Sequence, residues 1–364
     1  MAAAPGATAT AMPTTASSRP SRWRRLHRSY VLGRIVKSLI TLLLVITLSF
    51  FLLRFMPGNP VQAYVQNLVS TQGMTYADAT KRASSLLAFN PTGSLWLQYL
   101  QYIGSLLHGN MGQSILTPGT SVASAVFASL PWTLFSVGMG TLFSFVIGTF
   151  LGVLIAYRRG GFLDHLVTNL SSLLHAVPNY IWAMLIIVVF GVKLGWFDIT
   201  STNGTLTPGV VPGFNLTFFG DAIYHAALPI LVYTLTGLGG WVLMMKSSTM
   251  QILDEDFVTV ARAKGLRESR IRSRYVGRNA VLPLFAQFAL SIGAMVGGSV
   301  LIEQIFQYQG VGYYLFDSLT KRDYTMTQGF ILIITVSVIA ANLVADLLLS
   351  RIDPRVRAPG SAAR

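Results

Sequence analysis

The side chains that could carry catalysis or bind a metal are few and widely separated in this sequence. Cysteine is absent, which excludes disulfides, thiolate metal sites and thiol nucleophiles. The five histidines show no His-x-x-x-His spacing; they are His27, His108, His165, His175 and His225. Neither a Gly-x-Ser-x-Gly nucleophile turn nor a Gly-x-x-x-x-Gly-Lys-[Ser/Thr] phosphate loop occurs. We therefore expect no catalytic residue, metal site or cofactor in this chain, and no nucleotide bound by a phosphate loop of this kind.

Charged side chains inside apolar segments are the second candidates for chemistry, because a charge at the centre of a membrane costs about 2.5–3.5 kcal/mol. Arg54, Lys193 and Glu303 lie near the ends of such segments, and we expect them to snorkel toward water. Asp346 lies further in and could snorkel, cap a partner helix or take part in transport. An ion-driven carrier would use intramembrane acids such as these, but the internal repeat typical of such carriers is not evident.

These residues must be positioned by membrane helices. Hydrophobic residues make up 52% of the 364 residues and charged residues only 11%, which is too little charge to cover a water-soluble protein of this size. The first apolar run, at 38–55, would span about 27 Å as a helix, close to the thickness of the hydrocarbon core. Comparable runs follow at 131–157, 168–194, 222–245, 281–306 and 328–350. The predicted fold is therefore all-α, a polytopic membrane protein with about six transmembrane helices.

Lysine and arginine are unevenly distributed between the loops. If the N-terminus is cytoplasmic, 21 basic residues fall on the inner side and 6 on the outer side, in agreement with the positive-inside rule. Both termini are therefore predicted to lie on the cytoplasmic side of the cell membrane. Basic segments beside membrane helices also explain the net charge of +14 without a nucleic-acid partner.

The apolar runs and the charges divide the chain into segments. The connection after the first run is long, and a loop of that length without structure of its own is unusual, so we expect short amphipathic helices on the outer face. The predicted segments are a disordered basic cytoplasmic tail (1–29), the first transmembrane helix (30–56), an extracytoplasmic cap (57–130), a five-helix core (131–350) with a cytoplasmic loop at 246–281, and a cytoplasmic tail (351–364).

The loop between the fourth and fifth runs is the most informative segment. Acidic residues at 254–256 suit the start of a helix, and Gly265 suits its C-terminus. A second, basic helix then leads through Arg278 to Pro283 at the membrane edge. This pattern predicts a helix–turn–helix that projects into the cytoplasm. Composition alone would favour a solvated basic loop lying on anionic lipid.

The same loop resembles the EAA signature of permease subunits of binding-protein-dependent ABC importers. Its long glycine-to-proline spacing is similar to that of the di/oligopeptide (peptide/nickel) branch, with Thr259-Val260-Ala261 in place of Glu-Ala-Ala and Gly265 as the anchor. The resemblance implies a coupling helix that docks on an ATPase subunit. The residues that it assigns to this loop are Asp254, Asp256, Phe257, Thr259, Ala261, Arg262, Ala263, Lys264, Gly265, Leu266, Arg278, Asn279 and Pro283.

Shorter segments elsewhere are similar to the same branch. Residues 56–60 resemble its Pro-Gly-Asp-Pro element, and residues 107–114 resemble its Gly-Asp-Leu-Gly-x-Ser element. Further matches are Arg322-Asp323-Tyr324, Asn342 with Asp346, and Asp353-Pro354-Arg355. The sequence departs from the pattern at Gln309 and Thr325, where a proline is usual.

The resemblance implies the type I ABC importer permease fold and a permease subunit rather than an enzyme. The implied partners are a second homologous permease subunit, two cytoplasmic ATP-binding subunits, an extracytoplasmic solute-binding protein and the lipid membrane. Oligopeptides or dipeptides are the expected solutes. Oligosaccharides or nickel are alternatives for the same machinery.

Small residues recur inside two of the apolar runs. They are Gly140, Gly148 and Gly152, which lie with Ser144 on one face of the second run, and Gly293 and Gly297 in the fifth. Close backbone approach drives helix packing in lipid, so these glycines are predicted to pack helices within the chain, to contact a second permease or to line the path. Pro178 and Pro229 are predicted to kink the third and fourth spans.

Overall fold

The computed structural model describes residues 22–55, 60–87, 94–117, 119–198, 201–295, 297 and 300–352. Across these ranges the chain is helical, and its one extended pairing is an isolated bridge between Gln113 and Ser121. The helices are α1 (Arg22–Phe55), α2 (Pro60–Gln72), α3 (Tyr76–Leu87), α4 (Leu95–Leu107), α5 (Val122–Ala156), α6 (Phe162–Ala176), α7 (Asn179–Ile186), α8 (Leu216–Leu253), α9 (Asp256–Ala263), α10 (Glu268–Arg270), α11 (Arg278–Ala280), α12 (Leu282–Met295), α13 (Val300–Ile305), α14 (Val311–Thr320) and α15 (Tyr324–Ile352). Two stretches are π-helical, Ile187–Lys193 after α7 and Ile271–Gly277 after α10. The predicted all-α class is confirmed.

Four of the described helices are long and apolar enough to cross a membrane: α1, α5, α8 and α15. They correspond to the first, second, fourth and sixth predicted spans. Two of them begin earlier than predicted, α1 at Arg22 and α5 at Val122. Residues 22–29 are therefore helical rather than part of a disordered tail, and α5 continues through Pro131. Hydropathy marks the apolar part of a helix but not its end in water, where arginine and leucine still favour the helical state.

The third predicted span is a broken helix. Helices α6 and α7 together are apolar enough to cross a membrane, but they are bent by 101°. The break follows Ala176, and Pro178 stands immediately before the first residue of α7. Proline disfavours helical backbone in the residue before it and cannot donate a backbone hydrogen bond. The predicted kink at Pro178 is confirmed, whereas α8 runs through Pro229 as one helix.

The fifth predicted span, at 281–306, is not a single helix. Helix α12 ends at Met295, α13 begins at Val300, and Gly297 lies in a turn between them. The apolar part of α12, Leu282–Ile292, is shorter than a membrane span. The described residues therefore contain four helices that are long and apolar enough to cross a membrane, or five with the bent pair, so the predicted count of about six is not confirmed. Gly293 lies in α12 and Gly297 lies in the turn after it, so the two glycines do not lie on one face of one helix as predicted.

Three short helices follow the first span, as predicted for the outer segment. Helices α2, α3 and α4 pack on the C-terminal part of α1 through a small apolar core. Its buried members are Phe50, Val65, Leu68, Ala79, Ala83, Tyr99, Tyr102 and Ile115. The hydroxyls of Thr47 on α1 and Tyr99 on α4 also share a hydrogen bond of 2.8 Å. These helices therefore form a folded unit with the end of α1.

Helices α5 and α8 pack closely along the stripe of small residues predicted on α5. A Cβ atom at Gly148 would lie 2.5 Å from Cβ of Trp241, and one at Gly152 would lie 2.6 Å from Cβ of Met245. Gly140 likewise faces Tyr233 of α8 too closely for a side chain. These glycines thus meet a helix of their own chain, and they hold α8 at the position from which it leads into the α8–α12 loop.

Candidate functional site

The loop between α8 and α12 folds into an elbow whose tip is helix α9. Helix α8 ends at Leu253, and Glu255 adopts an extended backbone conformation with φ −75° and ψ 143°. This break starts a new helix at Asp256, whose carboxylate lies in the first turn, where the helix dipole favours negative charge. The acidic residues at 254–256 therefore mark the start of a helix, as predicted.

The C-terminus of α9 depends on a glycine. Gly265 has a φ of +71°, and its N–H donates to the carbonyl of Arg262 at 2.9 Å. The N–H of Leu266 donates to the carbonyl of Ala261 at 3.3 Å. This pair of bonds is a Schellman motif, which requires a left-handed residue and so favours glycine. The predicted helix end at Gly265 is confirmed.

The buried face of α9 packs against the return arm of the elbow, which is formed by residues 268–283. Val258 and Ala261 are buried, and they pack in one apolar cluster with Ile271 and Val276 of the π-helical stretch. The elbow therefore has a small core of its own, and α9 is held at a fixed orientation rather than lying as a solvated loop.

The outer face of α9 presents apolar side chains to solvent. Phe257 is 39% exposed and Val260 is 51% exposed, one helical turn apart. Arg262 pairs with Glu268 at 3.0 Å, but both side chains are exposed, and such pairs contribute about 0–1 kcal/mol. An exposed apolar pair at the tip of a rigid projection is a surface that a protein partner would cover.

The predicted site residues divide into two groups. Residues 254–266 lie together in and around α9, whereas Arg278, Asn279 and Pro283 lie on the return arm. Asn279 donates from Nδ2 to the carbonyl of Tyr275 at 2.6 Å, so it stabilises the arm. Arg278 is exposed, and Pro283 stands in the first turn of α12.

Sequence analysis missed the contacts that brace the elbow. Nζ of Lys246 lies 2.5 Å from Oδ1 of Asp164 and donates to Oγ1 of Thr168 at 3.0 Å. This ion pair joins α8, just before the elbow, to the first turns of α6, and Asp164 is almost fully buried. Ser248 donates to the carbonyl of Ala280 at 2.7 Å and so joins the two arms. The partners are too far apart in sequence for spacing to reveal them.

The charged residues of the apolar runs differ in their environments. Lys193 is exposed, and the Arg54 guanidinium lies 5.1 Å from the centroid of the Phe50 ring. The prediction that Glu303 snorkels is wrong: its side chain is fully buried and hydrogen-bonded to Thr133 of α5 at 2.7 Å. Hydropathy places Glu303 near the end of a run but does not reveal a partner on another helix. Asp346 lies in α15.

No metal centre is formed by the part of the chain that the structure describes, since no three His, Asp or Glu side chains are grouped there. The main feature of this region is a folded elbow with two exposed apolar side chains on α9, Phe257 and Val260. The ion pair between Lys246 and Asp164 lies at the base of the elbow, which we call its stem. A protein-family model described as "binding-protein-dependent transport system inner membrane component" matches residues 148–358, which include the whole elbow. The chain belongs to this family.

Relatives that align along most of their length agree with this assignment. The oligopeptide transport system permease protein AppB of Bacillus subtilis is 33% identical over 328 residues, which cover 90% of this chain and 99% of the relative. The di/tripeptide transport system permease protein DppB of Pseudomonas aeruginosa is 32% identical over 339 residues, covering 90% and 98%. The dipeptide transport system permease protein DppB of Escherichia coli is 30% identical over 344 residues, with the same coverage.

The family assignment confirms the resemblance seen in the loop. This permease is a multi-pass membrane protein of the type I ABC importer class, and like its relatives it is a permease subunit rather than an enzyme. Its four long apolar helices and the bent pair α6–α7 suit that role.

Proposed function

We propose that this permease is the membrane subunit of an ATP-driven importer and that α9 is the helix on which an ATP-binding subunit acts. The observation that carries the proposal is the exposed pair Phe257 and Val260 on a helix whose opposite face is buried. A docking helix must present an apolar surface to its partner and be attached rigidly to the spans that it moves. Both conditions are met here.

The ion pair between Lys246 and Asp164 connects α8 to α6 and so transmits movement of α9 to both helices. When the ATP-binding subunits close, a force on α9 is carried into α8 and, through Lys246 and Asp164, into α6. The close glycine contacts between α5 and α8 make these helices move together. Rigid elements that alternate between two packings would then open the path first on one side and then on the other.

The positive-inside distribution supports an orientation with both termini and the elbow in the cytoplasm. In this orientation the cap at 57–130 lies outside, the core at 131–350 crosses the membrane through α5, α8, α15 and the bent pair α6–α7, and the tails at 1–29 and 351–364 lie inside. The partners that follow are a second homologous permease, two ATP-binding subunits and a solute-binding protein that docks on the cap and on residues 307–327.

The proposed solutes are oligopeptides or dipeptides. The support comes from the relatives, which are named for the transport of oligopeptides, di/tripeptides and dipeptides. The solute that the cognate binding protein retains from a mixture of peptides, oligosaccharides and nickel identifies the class directly. Retention of a sugar or of nickel would replace the peptide assignment without changing the proposed mechanism.

Docking is tested by affinity purification of this chain with its ATP-binding subunits. Phe257→Asp and Val260→Asp place a charge on the exposed face of α9 without disturbing its buried face, and we expect the amount of copurified ATPase to fall about tenfold or more. Val211→Asp, at a side chain that is 74% exposed in the segment before α8, is the matched control and should leave copurification intact. Solute uptake by liposomes that hold the permease without any ATPase would instead show an ion-driven carrier.

A further inference from the structure

Glu303 is a buried acid that the proposed docking of α9 does not use. Its side chain is fully buried in α13. Oε1 accepts a hydrogen bond from Oγ1 of Thr133 at 2.7 Å, and Oε2 accepts one from the backbone N–H of Tyr313 at 3.0 Å. A carboxylate removed from water is stable only when such donors replace its hydration.

Thr133 on α5 links Glu303 to the start of α14. Its Oγ1 donates to Glu303 and at the same time accepts from the backbone N–H of Val311 at 2.8 Å. Two backbone N–H groups in the first turn of α14, those of Val311 and Tyr313, are therefore paired with side chains from other helices. A helix leaves these groups without partners of its own, and its dipole favours a negative charge at this end.

Two glycines allow the carboxylate to approach. A Cβ atom at Gly310 would lie 2.5 Å from Oε2 of Glu303, and one at Gly312 would lie 3.1 Å from the same oxygen and 2.9 Å from Cα of Val300. The Gly-x-Gly pattern at 310–312 is thus required by Glu303 and Thr133. The family pattern has a proline before these two glycines, where this chain has Gln309. The side chain at that position takes no part in the contact, so the replacement does not affect it.

We propose that Glu303 and Thr133 are positioning residues that fasten α14 to α13 and α5, so that α14 and these helices move as one body. The proposal rests on the proposed function, in which residues 307–327 receive the solute-binding protein. When the solute-binding protein docks there, the contacts of Glu303 and Thr133 transmit its binding from α14 to α5. Helix α5 packs on α8, and α8 leads into the elbow.

The test uses the importer reconstituted in lipid with its partner permease, ATP-binding subunits and solute-binding protein. Thr133→Val removes the hydroxyl and leaves the Val311 N–H without its acceptor, Glu303→Gln removes the charge at nearly constant volume, and Thr133→Ser keeps the hydroxyl. We expect Thr133→Val and Glu303→Gln to lower the stimulation of ATP hydrolysis by the binding protein about tenfold, the effect of losing one buried hydrogen-bond partner. Basal ATP hydrolysis and copurification of the ATPase should persist in both variants. Thr133→Ser should retain stimulation by the binding protein.

A second readout follows α14 directly. Because the chain has no cysteine, Leu319→Cys, at an exposed position of α14, accepts a single spin label. The label should become more mobile in Thr133→Val and Glu303→Gln but not in Thr133→Ser. Stimulation within about twofold of the unsubstituted importer in Thr133→Val, or lost stimulation with unchanged label mobility, overturns the proposal. Absence of stimulation and of ATPase copurification in the unsubstituted importer would instead refute the proposed function.

Discussion

The hydroxyl of Ser114 lies 2.5 Å from a carboxylate oxygen of Asp323, and this buried contact joins segments that are 209 residues apart. The other oxygen of Asp323 accepts from the backbone N–H of Ile115 at 3.4 Å and of Met326 at 3.2 Å. Asp323 therefore caps the start of α15 and anchors the segment that follows α4. The short motifs at 107–114 and 322–324 thus meet in space, which gives a physical reason for the polar residues in both.

Loss of this contact should weaken the packing between the segment after α4 and the start of α15. We expect Asp323→Ala to lower the free energy of unfolding by about 1–3 kcal/mol, because the backbone N–H groups that the carboxylate accepts from are left buried without an acceptor. The measurement is thermal unfolding of the purified protein in detergent. Asp317→Ala is the control, since Asp317 forms a 2.9 Å pair with the exposed Lys321 and such pairs contribute about 0–1 kcal/mol. Equal losses at both positions would contradict the assignment.

The glycine stripe on α5 gives a second prediction. Gly148→Ala places a methyl group 2.5 Å from Cβ of Trp241, so α5 and α8 must separate, and we expect a loss of about 1–3 kcal/mol. Gly138→Ala on the same helix meets only Sδ of Met295 at 4.0 Å, and it should be neutral or raise stability by up to about 1 kcal/mol. Thermal unfolding of the two variants side by side is the check. A stable Gly148→Ala variant would mean that α5 and α8 are not held together at this stripe.

Local signals in the sequence predicted the helix end at Gly265 and the break at Pro178, although the same signal at Pro229 lies within the continuous helix α8. Gly265 predicts a helix end because the left-handed backbone required there is a property of one residue, and Pro178 predicts a break because the proline ring acts on its immediate neighbour. Glu303 was misplaced because its burial depends on Thr133, a residue on a distant helix. The ion pair between Lys246 and Asp164 was missed for the same reason, since no spacing rule joins them.

The fifth span shows a different limit of sequence analysis. Hydropathy averages over a window, so the run at 281–306 is apolar enough to be predicted as one helix. The structure divides it into α12 and α13 around the turn at Gly297. Helix breaks of this kind depend on backbone preference, which composition does not measure.

The ion pair at the stem of the elbow gives a third prediction. Lys246→Met leaves Asp164 as a buried carboxylate without its cation, and removing one partner of a buried pair costs about 3–5 kcal/mol. We expect uptake to fall strongly, and the exchange Lys246→Asp with Asp164→Lys to restore part of it. Uptake per ATP hydrolysed by the reconstituted importer is the measurement, because a loose stem should lower this ratio while hydrolysis continues. Lys321→Met, at the exposed pair with Asp317, serves as the control. An unchanged ratio in Lys246→Met would show that this pair does not transmit motion.

The last prediction separates backbone strain from docking at the elbow. Gly265 has a φ of +71° with open space around its Cβ position, so Gly265→Glu adds a left-handed strain of about 1–2 kcal/mol and a charged side chain at the end of α9. Gly73, between α2 and α3, has a φ of +64° and is equally open, so Gly73→Glu carries the same strain in a segment far along the chain from the elbow. If α9 docks on an ATP-binding subunit, Gly265→Glu should abolish uptake and ATPase copurification while membrane insertion persists. Gly73→Glu should keep most of the uptake and most of the ATPase copurification. Similar losses in the two variants would mean that strain alone explains the effect, and normal uptake by Gly265→Glu would remove α9 from the docking surface.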